Sequence, residues 1–132
     1  MDPEATVYFA RIAEQARDIL ENVVIATDTT PERSFLHLTA GYGSCRIVAK
    51  EVVAVGERHY SYYVLRGSYV EAGFDNSPDP KAIRLKFGRI GADFEQRRVP
   101  HLHTENKRKL QLTDEISFHT FLEWLVENVP TT

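Results

Sequence analysis

Between Phe35 and Phe74, glycine turns cut the chain into four short stretches of strand-like pattern, and strands spaced so closely pair as an antiparallel meander. Phe35, His37 and Thr39 alternate with Leu36, Leu38 and Ala40 before the turn at Gly41-Tyr42-Gly43. From Cys45 to Val55, Ile47, Ala49 and Glu51 face away from Arg46, Val48, Lys50 and Val52. Gly56-Glu57 turns the chain into His59–Leu65, rich in Tyr and Val as strands are. Gly67 turns it again, into Tyr69–Phe74.

Helical signals flank this core. Asp2-Pro3-Glu4 is a cap, a first-turn proline and a first-turn acid. Tyr8, Ile12, Ile19 and Val23 form one stripe, predicting a helix over about 3–23 followed by a turn at Thr27–Pro31. Phe118, Phe121, Leu122, Leu125 and Val126 form a second helical face, capped by Ser117 or Asp114 and stopped by Pro130. Between core and last helix, Asp75–Pro80 is a loop, and Ile83, Leu85 and Phe87 alternate with Arg84 and Lys86 as a strand with a basic outer face. Val99–His103 is extended, because the residue before a proline avoids the helical region, and Thr104–Lys109 is exposed and polar. The expected fold is α+β: an antiparallel meander with an N-terminal and a C-terminal helix packed on one face. Ile47, Phe74, Phe121, Leu122 and Leu125 are expected to be buried together.

With 132 residues, one domain spanning 1–132 is expected. The one cysteine, Cys45, excludes a disulfide framework and a multi-cysteine zinc site. No apolar run approaches the roughly 20 residues of a membrane span, and the first residues lack a secretory pattern, so a cytoplasmic location off the membrane is expected. The net charge of -3 hides a division: residues 1–80 carry -5, residues 81–110 carry +6 and residues 111–132 carry -4. Arg84, Lys86, Arg97, Arg98, Lys107 and Arg108 belong to the basic stretch, which suits phosphates or an acidic partner. The plainer reading is a solvated surface paired with the acidic remainder.

The most unusual local feature is His101-Leu102-His103. Residues two apart on an extended backbone point to the same side, so the two imidazoles sit together. Such a pair can divide general base and general acid roles near neutral pH. It can also hold a divalent ion, with Asp75 as the best third ligand and Glu51 and Glu71 as weaker ones. The metal-free scheme, with no cofactor, is favoured because only two histidines and one convincing carboxylate are in view. Two exposed loop histidines without a role are the plain alternative. Asp75 and Asn76 follow a strand end, where scaffolds place functional side chains, although both residue types also form ordinary turns. Tyr60 and Tyr62 share a face that can stack bases, or that is simply half-buried sheet.

These pieces have a familiar order: Arg46–Glu51, then His59-Tyr60-Ser61-Tyr62-Tyr63, Phe74-Asp75-Asn76-Ser77-Pro78, Pro100-His101-Leu102-His103 and a C-terminal amphipathic helix. The order resembles the TumE-like toxin components of prokaryotic toxin–antitoxin systems over about residues 35–128. Gly73 stands where that family often has arginine, and Leu102 stands where a middle histidine or basic residue is common. Residues 81–98 look like a basic insertion. The resemblance implies a toxin-like role with a cognate antitoxin as partner. The expected function is a small ribonuclease: His101 and His103 as acid and base, Asp75 orienting a histidine, Asn76 on a phosphate oxygen or base edge, and arginines facing the phosphorane charge. That scheme needs Asp75 within about 7 Å of one imidazole. The alternative is a non-catalytic module docking RNA or protein through residues 81–110. A homo-oligomer is left open by the sequence.

Overall fold

The computed structural model describes residues 3–89, 91, 94 and 96–131. Helix α1 spans Pro3–Ile19 and buries Ala5, Phe9, Ile12 and Ala16, the helical spacing that lays one stripe on a sheet. Seven strands follow in an unbroken antiparallel meander: β1 Glu21–Thr29, β2 Arg33–Tyr42, β3 Cys45–Ala54, β4 Glu57–Arg66, β5 Tyr69–Asp75, β6 His101–Thr104 and β7 Lys109–Leu112. Helix α2, Pro80–Phe87, lies between β5 and β6, and helix α3, Phe118–Asn128, closes the described chain. The class is α+β, as expected.

The first face of the sheet carries the main core. Leu36, Leu38, Ile47, Ala49, Tyr62, Val64, Ala72, Phe74 and Leu102 alternate inward along their strands and meet Phe9, Ile12, Phe118, Phe121, Leu122 and Leu125 from α1 and α3. Tyr62 packs against both Phe118 and Phe121, with ring centroids 5.5 and 5.2 Å apart. A smaller core of Ala82, Ile83 and Val99, joined by Phe87, Phe94 and Leu110, forms where α2 packs on β7. Leu110 is paired with His103 in the sheet, so this second core lies on the face opposite α1 and α3.

Three expectations from sequence are corrected. The first helix ends at Ile19, because Asn22 takes a left-handed φ of 52° and the β-branched run after it pairs with β2. Consequently Thr27–Thr29 belong to β1, and the turn lies after them, closed by Thr30 N–H to the Arg33 carbonyl at 2.8 Å. The stretch carrying Ile83, Leu85 and Phe87 is helical. Asp79 Oδ1 accepts from the N–H groups of Lys81 and Ala82 at 2.9 and 3.1 Å, Pro80 starts the helix, and Gly88 at φ 82° ends it. The alternation was a coincidence of spacing: Ile83 is buried, while Leu85 is 58% exposed.

Candidate functional site

The β5–β6 register pairs Asp75 with His101 and Gly73 with His103. Both histidines and Asp75 therefore lie on the second face of the sheet, the side that α2 covers. Strand pairing continues the row across four more strands, through Asp75, Ser61, Lys50 and His37. Beside it opens a cleft of about 250 Å³ lined by Lys50, Val52, His59, Ser61, Asp75 and Ser77, among others.

The imidazoles meet edge to face, with centroids 4.8 Å apart. They are not exposed loop residues: His101 is 1% exposed and His103 is 7% exposed. Helix α2 packs on the neighbouring β7 and its cap Asp79 reaches His103, which the sequence pattern of β6 alone does not reveal. His101 Nδ1 lies 2.6 Å from the Val99 carbonyl oxygen. A carbonyl only accepts, so Nδ1 carries a proton, and in the neutral ring the lone pair is on Nε2. His103 Nδ1 is buried with no hydrogen-bond partner among the described residues. Its Nε2 lies 3.8 Å from Asp79 Oδ2. Burial, and next the neighbouring His101, hold His103 below the usual histidine range; Asp79 and Asp75 act in the opposite sense.

Asp79 is the carboxylate that sequence reading overlooked. Its Oδ1 caps α2 while its Oδ2 turns toward His103. Asp79, His101 and His103 each offer one ligating atom, and the three atoms lie within 4.8 Å of one another. Tyr63 is the second overlooked residue. A Cβ at Gly73 would collide with its ring, so the glycine lets that ring lie across β5 toward His103. Burial, then Asp75 and Asp79, push the Tyr63 hydroxyl up to about 12, and the Lys107 ammonium stands 5.2 Å from the ring centroid. The usable signals were the N-cap pattern Asp79-Pro80 and a glycine opposite a tyrosine, and the second is visible only once the strands are paired.

Other expected site residues lie elsewhere. Asn76 is a structural clamp: Oδ1 accepts the Tyr60 N–H at 2.9 Å, and Nδ2 donates to the Arg58 carbonyl at 2.9 Å and to Glu115 at 3.0 Å. Tyr60 and Tyr62 are buried on the opposite, helix-covered face, stacked on each other at 5.0 Å, where no base can reach them. Glu51 shares that face and is saturated. It accepts from Tyr8 Oη and Tyr62 Oη at 2.6 Å each and from Arg58 Nε at 3.0 Å, so it is no ligand for the histidines. Glu71 is paired with Arg66 at 2.9 Å.

The basic residues stay at the surface. Arg84, Lys86, Arg97, Arg98, Lys107 and Arg108 are exposed, the first two on the last turn of α2. Arg98 reaches Glu57 at 3.8 Å, and Arg108 Nε donates to the Glu105 carbonyl at 3.1 Å. None of the described helices is long and apolar enough to cross a membrane. Set against family models, curated proteins and solved structures, the chain matches none.

Proposed function

We propose that this protein is a toxin-type ribonuclease working from the second face of its sheet, with RNA and a cognate antitoxin as its partners in the cytoplasm. The observation that carries the reading is the grouping of two touching imidazoles, Asp75, Asp79 and Tyr63 on the face that α2 packs against, with the Lys107 ammonium beside the Tyr63 ring. Cleavage of a phosphodiester needs an acceptor for the proton of the attacking oxygen, a donor for the leaving oxygen, and positive charge against the phosphorane. Asp75 borders the open cleft and has one carboxylate oxygen beyond the one that accepts the Ser77 N–H, which suits the first role. Tyr63 holds its proton far above neutral pH, which suits the second. Lys107 and the arginines of residues 84–98 supply the third and track the strand.

The division of acid and base between His101 and His103 gives way to a supporting role for His101. A side chain 1% exposed with one nitrogen on the Val99 carbonyl does not touch a ribose. Asn76 takes no part, since its amide is spent on the clamp.

The test uses a labelled single-stranded RNA. Asp75→Asn is expected to lower cleavage by about 10²-fold or more, the usual weight of a general base, with binding retained. Arg97→Glu with Arg98→Glu should weaken binding and flatten its slope against log salt. Binding that is intact while no RNA is cut by the parent chain would replace this reading with a non-catalytic docking module. Equal affinity of parent and double variant at low salt would remove the basic segment from either reading.

A further inference from the structure

We propose that Asp79, His101 and His103 form a binding site for one divalent transition-metal ion of the zinc class. The proposal rests on the second face being the working face, and it adds the cofactor that this face would use.

Four observations carry it. Three ligating atoms from one carboxylate and two imidazoles lie within 4.8 Å of one another. Two nitrogens and one oxygen are the donor set of facial sites that keep positions open, and imidazoles select zinc-like ions over the oxygen-seeking magnesium and calcium. The ligands are already oriented. His101 gives its Nδ1–H to the Val99 carbonyl, the arrangement that fixes the tautomer of metal-binding histidines and leaves the other nitrogen for an ion. Asp79 is held by its cap to α2 through Oδ1, which leaves Oδ2 facing His103. Finally, the His103 side chain is 9% exposed, and Asp79 Oδ2 stands 3.8 Å from its Nε2, beyond hydrogen-bond distance, which leaves this buried nitrogen and oxygen facing each other with room for an ion between them.

An ion bound at about 2.0–2.2 Å from each donor draws the donors to roughly 3–3.5 Å from one another. The 3.8 Å gap between Asp79 Oδ2 and His103 Nε2, and the widest separation of up to 4.8 Å within the set, close to this by side-chain rotation on binding. A bound ion of this class would polarise a phosphoryl oxygen and lower the pKa of a water at its open position.

The untagged full chain, stripped with chelator, is titrated with Co²⁺ by visible absorption and with Zn²⁺ by calorimetry. One ion per chain is expected, with d–d bands for Co²⁺ and a thermal midpoint that rises with Zn²⁺. Asp79→Asn keeps the helix cap, because Asn caps as well as Asp, yet removes the anionic ligand. It should weaken binding by about 10–100-fold or more, and His103→Gln should do the same. Asp75→Asn should keep the ion. Circular dichroism confirms that each variant is folded. A parent chain that binds no tighter than the folded Asp79→Asn/His103→Gln double variant overturns the proposal. So does loss of the ion in Asp75→Asn with retention in Asp79→Asn. RNA plays no part in these measurements. A chain that holds one ion yet leaves RNA uncut would sink the ribonuclease reading alone, and a chain that cuts RNA yet binds no ion in these titrations would sink the metal site alone.

Discussion

Asn76→Ala separates a clamp from a catalytic group. The side chain is 1% exposed and joins three segments: the β4 backbone at Arg58 and Tyr60, the end of β5, and Glu115 before α3. Alanine leaves the Tyr60 N–H and the Arg58 carbonyl without their partner. Each unsatisfied buried group costs about 1–3 kcal/mol, so a loss of roughly 2–6 kcal/mol is expected for the two. Unfolding entropy of about 2.1 cal/mol/K per residue, over a chain of 132 residues, converts that to a fall of about 7–22 °C in Tm. Asn76→Asp keeps the acceptor for Tyr60 but turns a carboxylate oxygen on the Arg58 carbonyl and on Glu115, so it should lose about as much. The assay is thermal unfolding by circular dichroism, run beside RNA cleavage at a temperature where every variant is folded. A Tm within about 2 °C of the parent together with abolished cleavage would refute the clamp and restore Asn76 to the chemistry.

Leu125→Ala should cost about 2–5 kcal/mol in denaturant unfolding, since Leu125 is fully buried between α3 and the sheet; a loss below about 0.5 kcal/mol would contradict that packing. Gly73→Ala should cost about 1–3 kcal/mol because its Cβ meets the Tyr63 ring. In a Tyr63→Ala background the same change should cost less than about 0.5 kcal/mol, and an equal cost in both backgrounds would place the strain elsewhere.

The middle of the sheet was legible because its period never breaks. Ile47, Ala49 and Glu51 keep alternating inward even though the third is charged, and the charge is met by Tyr8, Tyr62 and Arg58 from distant points of the chain. The end of α1 was not legible, since Ile19 and Val23 continue the helical stripe and only the left-handed backbone at Asn22 and the pairing with β2 stop it. Helix α2 was hidden by a three-residue alternation that outweighed a proper cap, proline and terminal glycine. For short segments, start and stop signals carry more than period. Asp79 was passed over for a related reason: an aspartate before a proline is an ordinary turn former, and its second oxygen acquires meaning only when β6 lies beneath it.

The two faces of the sheet treat buried polar groups in opposite ways. On the face under α1 and α3, Glu51 has three donors, Arg58 also serves Tyr62 and the Ile116 carbonyl, and Asn76 is fully engaged. That pattern is what stability asks of a buried polar group, and it explains why residues that suggested chemistry in the sequence are structural. On the face under α2, one histidine gives a ring N–H to the Val99 carbonyl, the other has an unpartnered nitrogen, and a capping aspartate turns its spare oxygen toward that second histidine. A chain that satisfies its polar groups so thoroughly on one side leaves the incomplete set on the other as the place where a ligand supplies the difference.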